Sequence, residues 1–492
     1  MIPLIFAGLS GVLLALAYEP FGFWFLAPLG LAIFIYQIHQ VSASSKFFVG
    51  FIFGISFWLI QINWLTVLSP VVLAFAAIAL SFFYGLFGFF TEIFQKNKLW
   101  AIFTAISYLT LESLLNYWPF GGFNWGTIGY ITSANPLAGT VEIIGVFGLS
   151  ILIYSLSLTL ILSFTLLRKG SMTAAFVTLI IWLLVPGAIS LMEFGQKDEL
   201  ISNKLTIGVI QGNVPRLGLE FNAQRKAVYQ NHLDETNRLL AQNKNIPLDL
   251  IIWPENAPDV DPFANEEVIR ELNLLAKTAS APILIGSRMQ SAKGPVNAAI
   301  LIEGDTELDS AFLYAKQKLV PFGEKIPFEN YLAPIAANFG PISTSLVAGD
   351  SAGILEVADT KVGLLICFEV AWGQLAKEVV DQGAEVLIIQ TNNATYGLTS
   401  QLAQQFNIAK LRAIESQRQV VTIATTGITG QIDRDGSVLW EADEFVPASK
   451  ALEIDLYQEK TLGLSANYFL QFFIVLAFLS LFAFGLVKSR IK

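Results

Sequence analysis

Eight apolar runs, seven before residue 200 and one near the C-terminus, constrain this chain more than any other feature. Each approaches the length of a bilayer-spanning helix, about 17–25 mostly apolar residues. They lie near 2–18, 22–39, 47–68, 70–94, 98–117, 138–167, 172–192 and 467–487. A chain of 492 residues that is 54% hydrophobic and only 14% charged is too apolar for an ordinary soluble protein of its size. Its charges are also unevenly placed. Residues 1–200 hold six Lys/Arg against seven Asp/Glu, whereas 201–487 hold 21 against 32. The expected architecture is a membrane protein of eight transmembrane helices with one large water-soluble insert. Its segments are a membrane domain over 1–200, the insert over 201–460, and a last helix with a basic tail over 461–492.

Basic residues give the orientation. They cluster after the second run (Lys46), the fourth (Lys96, Lys98), the sixth (Arg168, Lys169) and the eighth (Lys488, Arg490, Lys492), while the loops after runs one, three and five have none. The excess of Lys and Arg on cytoplasmic loops places both termini in the cytoplasm and the insert on the opposite face. The first run has no basic flank or clear cleavage site and is read as a retained helix. Glu112 and Glu142 fall inside runs but near their ends, where water can reach them. No run reads as broken by proline, which argues against a transporter.

In the insert the pattern changes to short apolar strands alternating with polar helices. Strands are expected at 205–211, 248–253, 283–287, 298–303, 362–367, 386–390 and 420–425, with helices at 222–243, 266–280 and 401–417. Apolar strands alternating with helices imply a layered α/β domain. The lone cysteine, Cys367, ends one of these strands. A single thiol forms no internal disulfide, so it serves either packing or chemistry. There are only two histidines. His39 falls on the cytoplasmic side, and His232 is expected on the surface of an amphipathic helix. A Cys–His pair and a Cys/His metal site are therefore both short of partners. A nucleophilic Cys367 would need a carboxylate as its base and a nearby cation to favour the thiolate. Both types occur at strand ends, in Trp253-Pro254-Glu255-Asn256 and in Lys316 followed by Leu319-Val320-Pro321-Phe322-Gly323-Glu324.

Together with Ile366-Cys367-Phe368-Glu369, these segments resemble the three motifs of the nitrilase (carbon–nitrogen hydrolase) superfamily. The helical flanks resemble its membrane-embedded branch, which completes bacterial lipoprotein maturation. The resemblance implies an αββα sandwich with Glu255 as general base, Lys316 as the cation at the oxyanion and Cys367 as nucleophile. Backbone N–H groups after the cysteine would complete the oxyanion hole. Glu324 and Glu369 would support Lys316 and order its turn, and Phe368 would flank the thiol. Arg412 and Glu415 resemble the superfamily's Arg-Ala-x-Glu helix and are given a structural role.

The resemblance further implies transfer of an acyl chain from a membrane phospholipid, through a Cys367 thioester, to the α-amino group of the N-terminal diacylglyceryl-cysteine of apolipoproteins. No cofactor, metal or nucleic acid is expected, and the bilayer concerned is the bacterial inner membrane. Thr391-Asn392-Asn393-Ala394-Thr395-Tyr396-Gly397 departs from the superfamily's Ser-Asn-Asp-Ala-Trp-Phe-Gly at Asn393 and Thr395. Phe221 is the large ring nearest to Gln211-Gly212-Asn213. Trp118, Phe120, Phe123 and Trp125 are expected in an interfacial aromatic belt, and 326–346 is expected to be an apolar lid. Two other readings remain open: a membrane-tethered amidase using the same triad, and a multi-span transporter or scaffold with an inactive insert.

Overall fold

A computed structural model describes residues 2–192, 204–217, 226–308, 311–321, 323–326, 329, 345–459 and 461–490. The chain divides into two compact units, Met1–Gln196 with Thr461–Lys492, and Lys197–Lys460. Phe221 and nearly all of the expected lid at 326–346 lie outside the described residues.

The first unit is helical: α1 (Ile2–Ala15), α2 (Leu26–Gln40), α3 (Ala43–Gln61), α4 (Pro70–Phe90), α5 (Trp100–Leu115), α6 (Val141–Arg168) and α7 (Met172–Ser190), with the last helix of the chain, Leu462–Arg490. Among the described residues, five segments are long and apolar enough to cross a membrane: Ala43–Gln61, Pro70–Phe94, Ala138–Arg168, Met172–Ile189 and Leu462–Gly485. The apolar helices α1 and α5 are shorter, and α2 has 15 residues. Length alone thus supports five of the eight expected spans. Hydropathy counts apolar residues, whereas hydrogen bonding ends these three helices at turns that are themselves apolar. Glycines let the helices approach closely: a Cβ at Gly11 would sit 2.3 Å from the Phe53 carbonyl oxygen, and one at Gly50 2.3 Å from that of Tyr84.

The expectation of unbroken spans fails at two points. Pro186 lies inside α7. In α6, Gly145 takes φ 68°, and Asn467 Oδ1 accepts the Phe147 N–H at 2.8 Å. Glu112 is also not solvated as expected. It is buried, accepting from Ser150 Oγ at 2.6 Å and from Ile128 N at 3.2 Å. Ser150 Oγ accepts in turn from Gly129 N at 2.8 Å. An irregular backbone inside an apolar unit must find such partners, and this carboxylate with Ser150 supplies them for Ile128 and Gly129. Of the expected aromatic belt, Trp118 and Phe120 are exposed whereas Trp125 is buried.

The second unit contains two six-stranded sheets. The first has the order β12-β1-β2-β3-β4-β5, from β1 (Lys204–Gln211), β2 (Leu250–Ile252), β3 (Ile283–Ser291), β4 (Gly294–Ile302), β5 (Leu313–Ala315) and β12 (Ala448–Asp455). The second has the order β11-β10-β9-β8-β7-β6, from β6 (Ile354–Val357), β7 (Thr360–Ile366), β8 (Val386–Thr391), β9 (Val420–Ala424), β10 (Gly430–Ile432) and β11 (Val438–Glu441). Strand alternation builds the layers. Leu250 and Ile252 of β2 meet Val362, Leu364 and Ile366 of β7 in the core between the sheets. Ile251 and Trp253 turn the other way, onto α8 (Ala227–Gln242) and α9 (Glu266–Ala279). On the far side, α10 (Gly373–Asp381) packs on Gly363 of β7, where a Cβ would meet Val379 at 2.8 Å. The helix α11 (Ser400–Ser416) completes this layer beside β9. The result is the αββα sandwich.

His232 is not the surface residue expected from its helix. It is fully buried, at helical spacing from Val228 and Thr236 on the face of α8 that meets Trp253. Its Nδ1–H donates to the Val228 carbonyl at 2.7 Å. A Cβ at Gly212 would lie 2.5 Å from that nitrogen, so only glycine fits between Gln211 and Asn213.

Burial lowers the His232 pKa to about 4 from an ordinary 6.5. Between those values the unfolded chain binds a proton that the folded one rejects, so stability falls as the pH drops. This contribution, up to about 3 kcal/mol, is expected to vanish in His232→Gln. Thermal melts from pH 7 to pH 4 should show a flatter acid slope for the variant than for the native protein.

Candidate active site

The carboxyl ends of the parallel strands form the site, the usual place for ligands in open α/β sheets. In the first sheet, Ile207 to Val209 of β1 pair in parallel with Leu250 to Ile252 of β2. In the second sheet, Val362 to Ile366 of β7 pair in parallel with Val386 to Gln390 of β8. The two sets of ends are tied directly. Gln390 Nε2 donates to the Trp253 carbonyl at 2.7 Å, Asn392 N to Glu255 Oε2 at 2.9 Å, and Thr425 Oγ1 to the Glu255 carbonyl at 3.3 Å.

Glu255 follows Pro254 immediately beyond β2. A Cβ at Gly286, on the neighbouring strand β3, would come within 2.6 Å of the Glu255 Cα. Glycine there lets the acid settle against its neighbour. Lys316 follows the short edge strand β5, and its N–H donates to the Asn297 carbonyl at 2.8 Å. Its ammonium then lies 3.0 Å from Glu255 Oε1 and 3.0 Å from Glu324 Oε1. All three side chains are buried. Glu324 is fixed from its other oxygen, which accepts Val320 N at 2.9 Å.

Cys367 is not the last strand residue, as the sequence pattern suggested. The strand β7 stops at Ile366, and Cys367 opens a 3₁₀ turn, Cys367–Ala371, with φ 53°. A non-glycine residue in this region carries backbone strain that the surroundings must hold. Glu369 supplies the hold. Its Oε2 accepts Ile366 N at 2.7 Å and the Tyr314 hydroxyl at 2.9 Å, while its Oε1 accepts Gln317 N at 2.7 Å and Lys318 N at 3.1 Å. One carboxylate thus joins the cysteine turn to the lysine loop, although it makes no hydrogen bond to Lys316 itself. Phe368 is buried and packs edge-on against Trp372 at 4.5 Å. Arg412 pairs with Glu415 within α11, and its Nε donates to the Val370 carbonyl at 2.9 Å. That buried pair braces the turn from below.

The charges set the reactivity. Burial opposes the charge on Lys316, but Glu255 and Glu324 outweigh it and raise its pKa well above the ordinary lysine range. Burial also works against the Glu324 carboxylate, and Lys316 overcomes it, lowering the pKa. The Cys367 thiol is pushed up to about 12, first by burial and then by the Glu255 charge, against the pull of Lys316. The resting cysteine is a thiol beside a carboxylate, which calls for general-base activation rather than a standing thiolate.

Two participants escaped sequence reasoning. Asn297 of β4 donates from one Nδ2 to Glu255 Oε1 at 2.6 Å and to Glu324 Oε1 at 2.7 Å, locking the two acids around the cation. Nothing local marks it, since it sits in the apolar strand Gly294–Ile302. Asn392 is the second, with its N–H on Glu255. No cluster of three or more His, Cys, Asp or Glu suited to a metal occurs among the described residues.

An αββα sandwich with Glu, Lys and Cys gathered at its strand ends defines a carbon–nitrogen hydrolase domain, and the family model of that description matches residues 206–456. A second model, the apolipoprotein N-acyltransferase N-terminal domain, matches residues 10–159. The apolipoprotein N-acyltransferase of Mycolicibacterium smegmatis is 30% identical over 92% of this chain and 80% of its own length. That of Pasteurella multocida is 27% identical over 90% and 87%. Among solved structures, Saccharomyces cerevisiae Nit3, of the nitrilase superfamily, aligns with 53% of this chain and 93% of its own at 17% identity and a TM-score of 0.38. The chain belongs to the apolipoprotein N-acyltransferase family, and it is an acyltransferase of the bacterial membrane.

Gly286→Ala is expected to push Glu255 away from Lys316 without emptying the core. A displacement near 1 Å at a catalytic group costs on the order of 10²-fold. Acyl transfer by Gly286→Ala should fall by about that factor, while its thermal transition stays within a few degrees of the native one.

Proposed function

We propose that this chain acylates the N-terminal diacylglyceryl-cysteine of lipoproteins, drawing the acyl group from a membrane phospholipid. The observation that carries this reading is the single cation shared by Glu255 and Glu324, each at 3.0 Å, beside the only cysteine of the chain. In the first step Glu255 takes the Cys367 proton as Sγ attacks the ester carbonyl. The carbonyl electron pair moves to oxygen, and the Lys316 ammonium balances that charge. When the adduct collapses, the ester C–O bond breaks and the lysophospholipid oxygen leaves with the proton held by Glu255. The products are a Cys367 thioester and a lysophospholipid.

In the second step the α-amine attacks the thioester, Glu255 accepts an amine proton, and the C–S bond breaks. The thiolate recovers the proton, leaving an amide on the lipoprotein. Glu324 matters because Glu255 is neutral while each adduct exists. A second carboxylate then keeps the buried Lys316 ammonium paired and in place as it faces the oxyanion. Cys367 would be the nucleophile, Glu255 the base, Lys316 the oxyanion cation, and Glu324, Glu369 and Asn297 their supports.

We further infer that all eight apolar helices of the first unit span the inner membrane, with both termini cytoplasmic. Residues 201–460, the catalytic domain, then follow the seventh span on the extracytoplasmic face. The alternation of basic and non-basic loops supports this orientation.

The scheme predicts ping-pong kinetics, tested with phospholipid and a diacylglyceryl-cysteine peptide: parallel double-reciprocal lines and an N-acyl peptide product. Glu255→Gln and Lys316→Met should each slow acylation by about 10²–10⁴-fold. Intersecting lines, or free fatty acid as the main product in the presence of peptide, would contradict the transfer reading.

A further inference from the structure

The end of β8 carries a second set of buried polar groups that the scheme above leaves unused. Thr391, Asn393, Gln401 and Gln405 are all more than nine-tenths buried, and their hydrogen bonds run in one direction. Asn393 Nδ2 donates to Gln401 Oε1 and to Gln405 Oε1, both at 2.7 Å. Gln401 Nε2 donates to Gln405 Oε1 at 2.8 Å. Gln405 Nε2 then donates to Thr391 Oγ1 at 3.0 Å. The amide donors all lead to one hydroxyl.

Because Thr391 Oγ1 accepts from Gln405, its own proton must point elsewhere. The void bordered by Thr391, Asn393 and Gln405 measures about 10 Å³, at or below what one water needs. Among the described residues, two protein acceptors stand near it. Asn393 Oδ1 lies 3.4 Å away, long for an O–H donor. The other is Cys367 Sγ, at the neighbouring position of the adjacent strand, whose pKa the Thr391 hydroxyl lowers. Strand register explains that nearness: Ile366 of β7 lies opposite Gln390 of β8 in a parallel pair, so Cys367, just past the end of β7, and Thr391, the last residue of β8, are the next positions on the two strands.

We propose that Thr391 is a catalytic residue whose hydroxyl donates a hydrogen bond to Cys367 Sγ as the thiolate forms and again as it departs. Asn393, Gln401 and Gln405 are positioning residues that aim it. No proton is transferred. The Cys367 proton still goes to Glu255, and the O–H bond of Thr391 stays intact. A hydroxyl donor gains strength when its acceptor becomes anionic, so the contact favours the thiolate over the thiol. The charged and titratable groups facing the sulfur are Glu255 and Glu324, which oppose the thiolate, Lys316, which favours it, and Tyr396. Thr391 adds a neutral donor to that set. The proposal rests on Cys367 being the nucleophile.

The test uses the full-length protein in detergent, with iodoacetamide as the probe of Cys367 and Cys367→Ala as the unlabelled control. In Thr391→Val the alkylation rate at pH 8 should fall about tenfold, and its pH profile should move up by about one unit. Thr391→Ser, which keeps the hydroxyl, should retain the native profile. If Thr391→Val does not purify as a folded protein, Gln405→Met should shift the profile in the same direction. A native profile in Thr391→Val or, failing that, in Gln405→Met would overturn the proposal. So would a shift in Thr391→Ser equal to that in Thr391→Val, which would mark the site as packing alone. Acyl transfer persisting in Cys367→Ala would overturn the nucleophile assignment itself, whatever the alkylation profiles show.

Discussion

The site depends on one buried ammonium held between two buried carboxylates. Taking Lys316, Glu255 and Glu324 out of water costs several kcal/mol per ion before any pairing. Their close contacts, with Asn297 donating to both acids, offset that cost only in one arrangement. Burial raises the Cys367 thiol, and the set, with its one net negative charge, does not reverse that shift. Moving the thiol proton to Glu255 leaves the total charge unchanged. It relocates the negative charge from carboxylate to sulfur, within a site already built to hold it. Charge relocation of this kind needs little reorganisation, the property that makes preorganised sites effective.

The sandwich supplies the required geometry. Glu255 comes from the first sheet, Cys367 from the second, and Lys316 from the edge of the first. Tight bonds between sheets, from Gln390 to Trp253 and from Asn392 to Glu255, fix the two halves in register. Glu369 joins the strained cysteine turn to the lysine loop through four hydrogen bonds. The strain at Cys367 is local, and the bonds that hold it reach residues about fifty positions earlier in the chain.

Much of this was legible in the sequence, because apolar strands ending in Pro-Glu and Cys-Phe-Glu are strong local signals. The central strands were found within a few residues. The outer strands β5, β6, β10, β11 and β12 were missed, being short or not continuously apolar. That matters for Lys316, whose position is set by one of them. Asn297 and the Gln401–Gln405 cluster were invisible because their role is created by pairing across sheets and helices, not by spacing. His232 was misplaced because its polarity outweighed its helical register with Val228 and Thr236. The departure at Asn393 gains a physical meaning, since an amide there can donate to two glutamines where a carboxylate could only accept. In the membrane unit, composition marked the apolar runs but not where turns shorten them.

The account stands on Cys367 carrying the acyl group, and intact-mass analysis of the full-length protein after exposure to phospholipid tests this most directly. It predicts a mass gain of one acyl chain, removable by hydroxylamine and absent in Cys367→Ala. Acylation that survives in Cys367→Ala would contradict it.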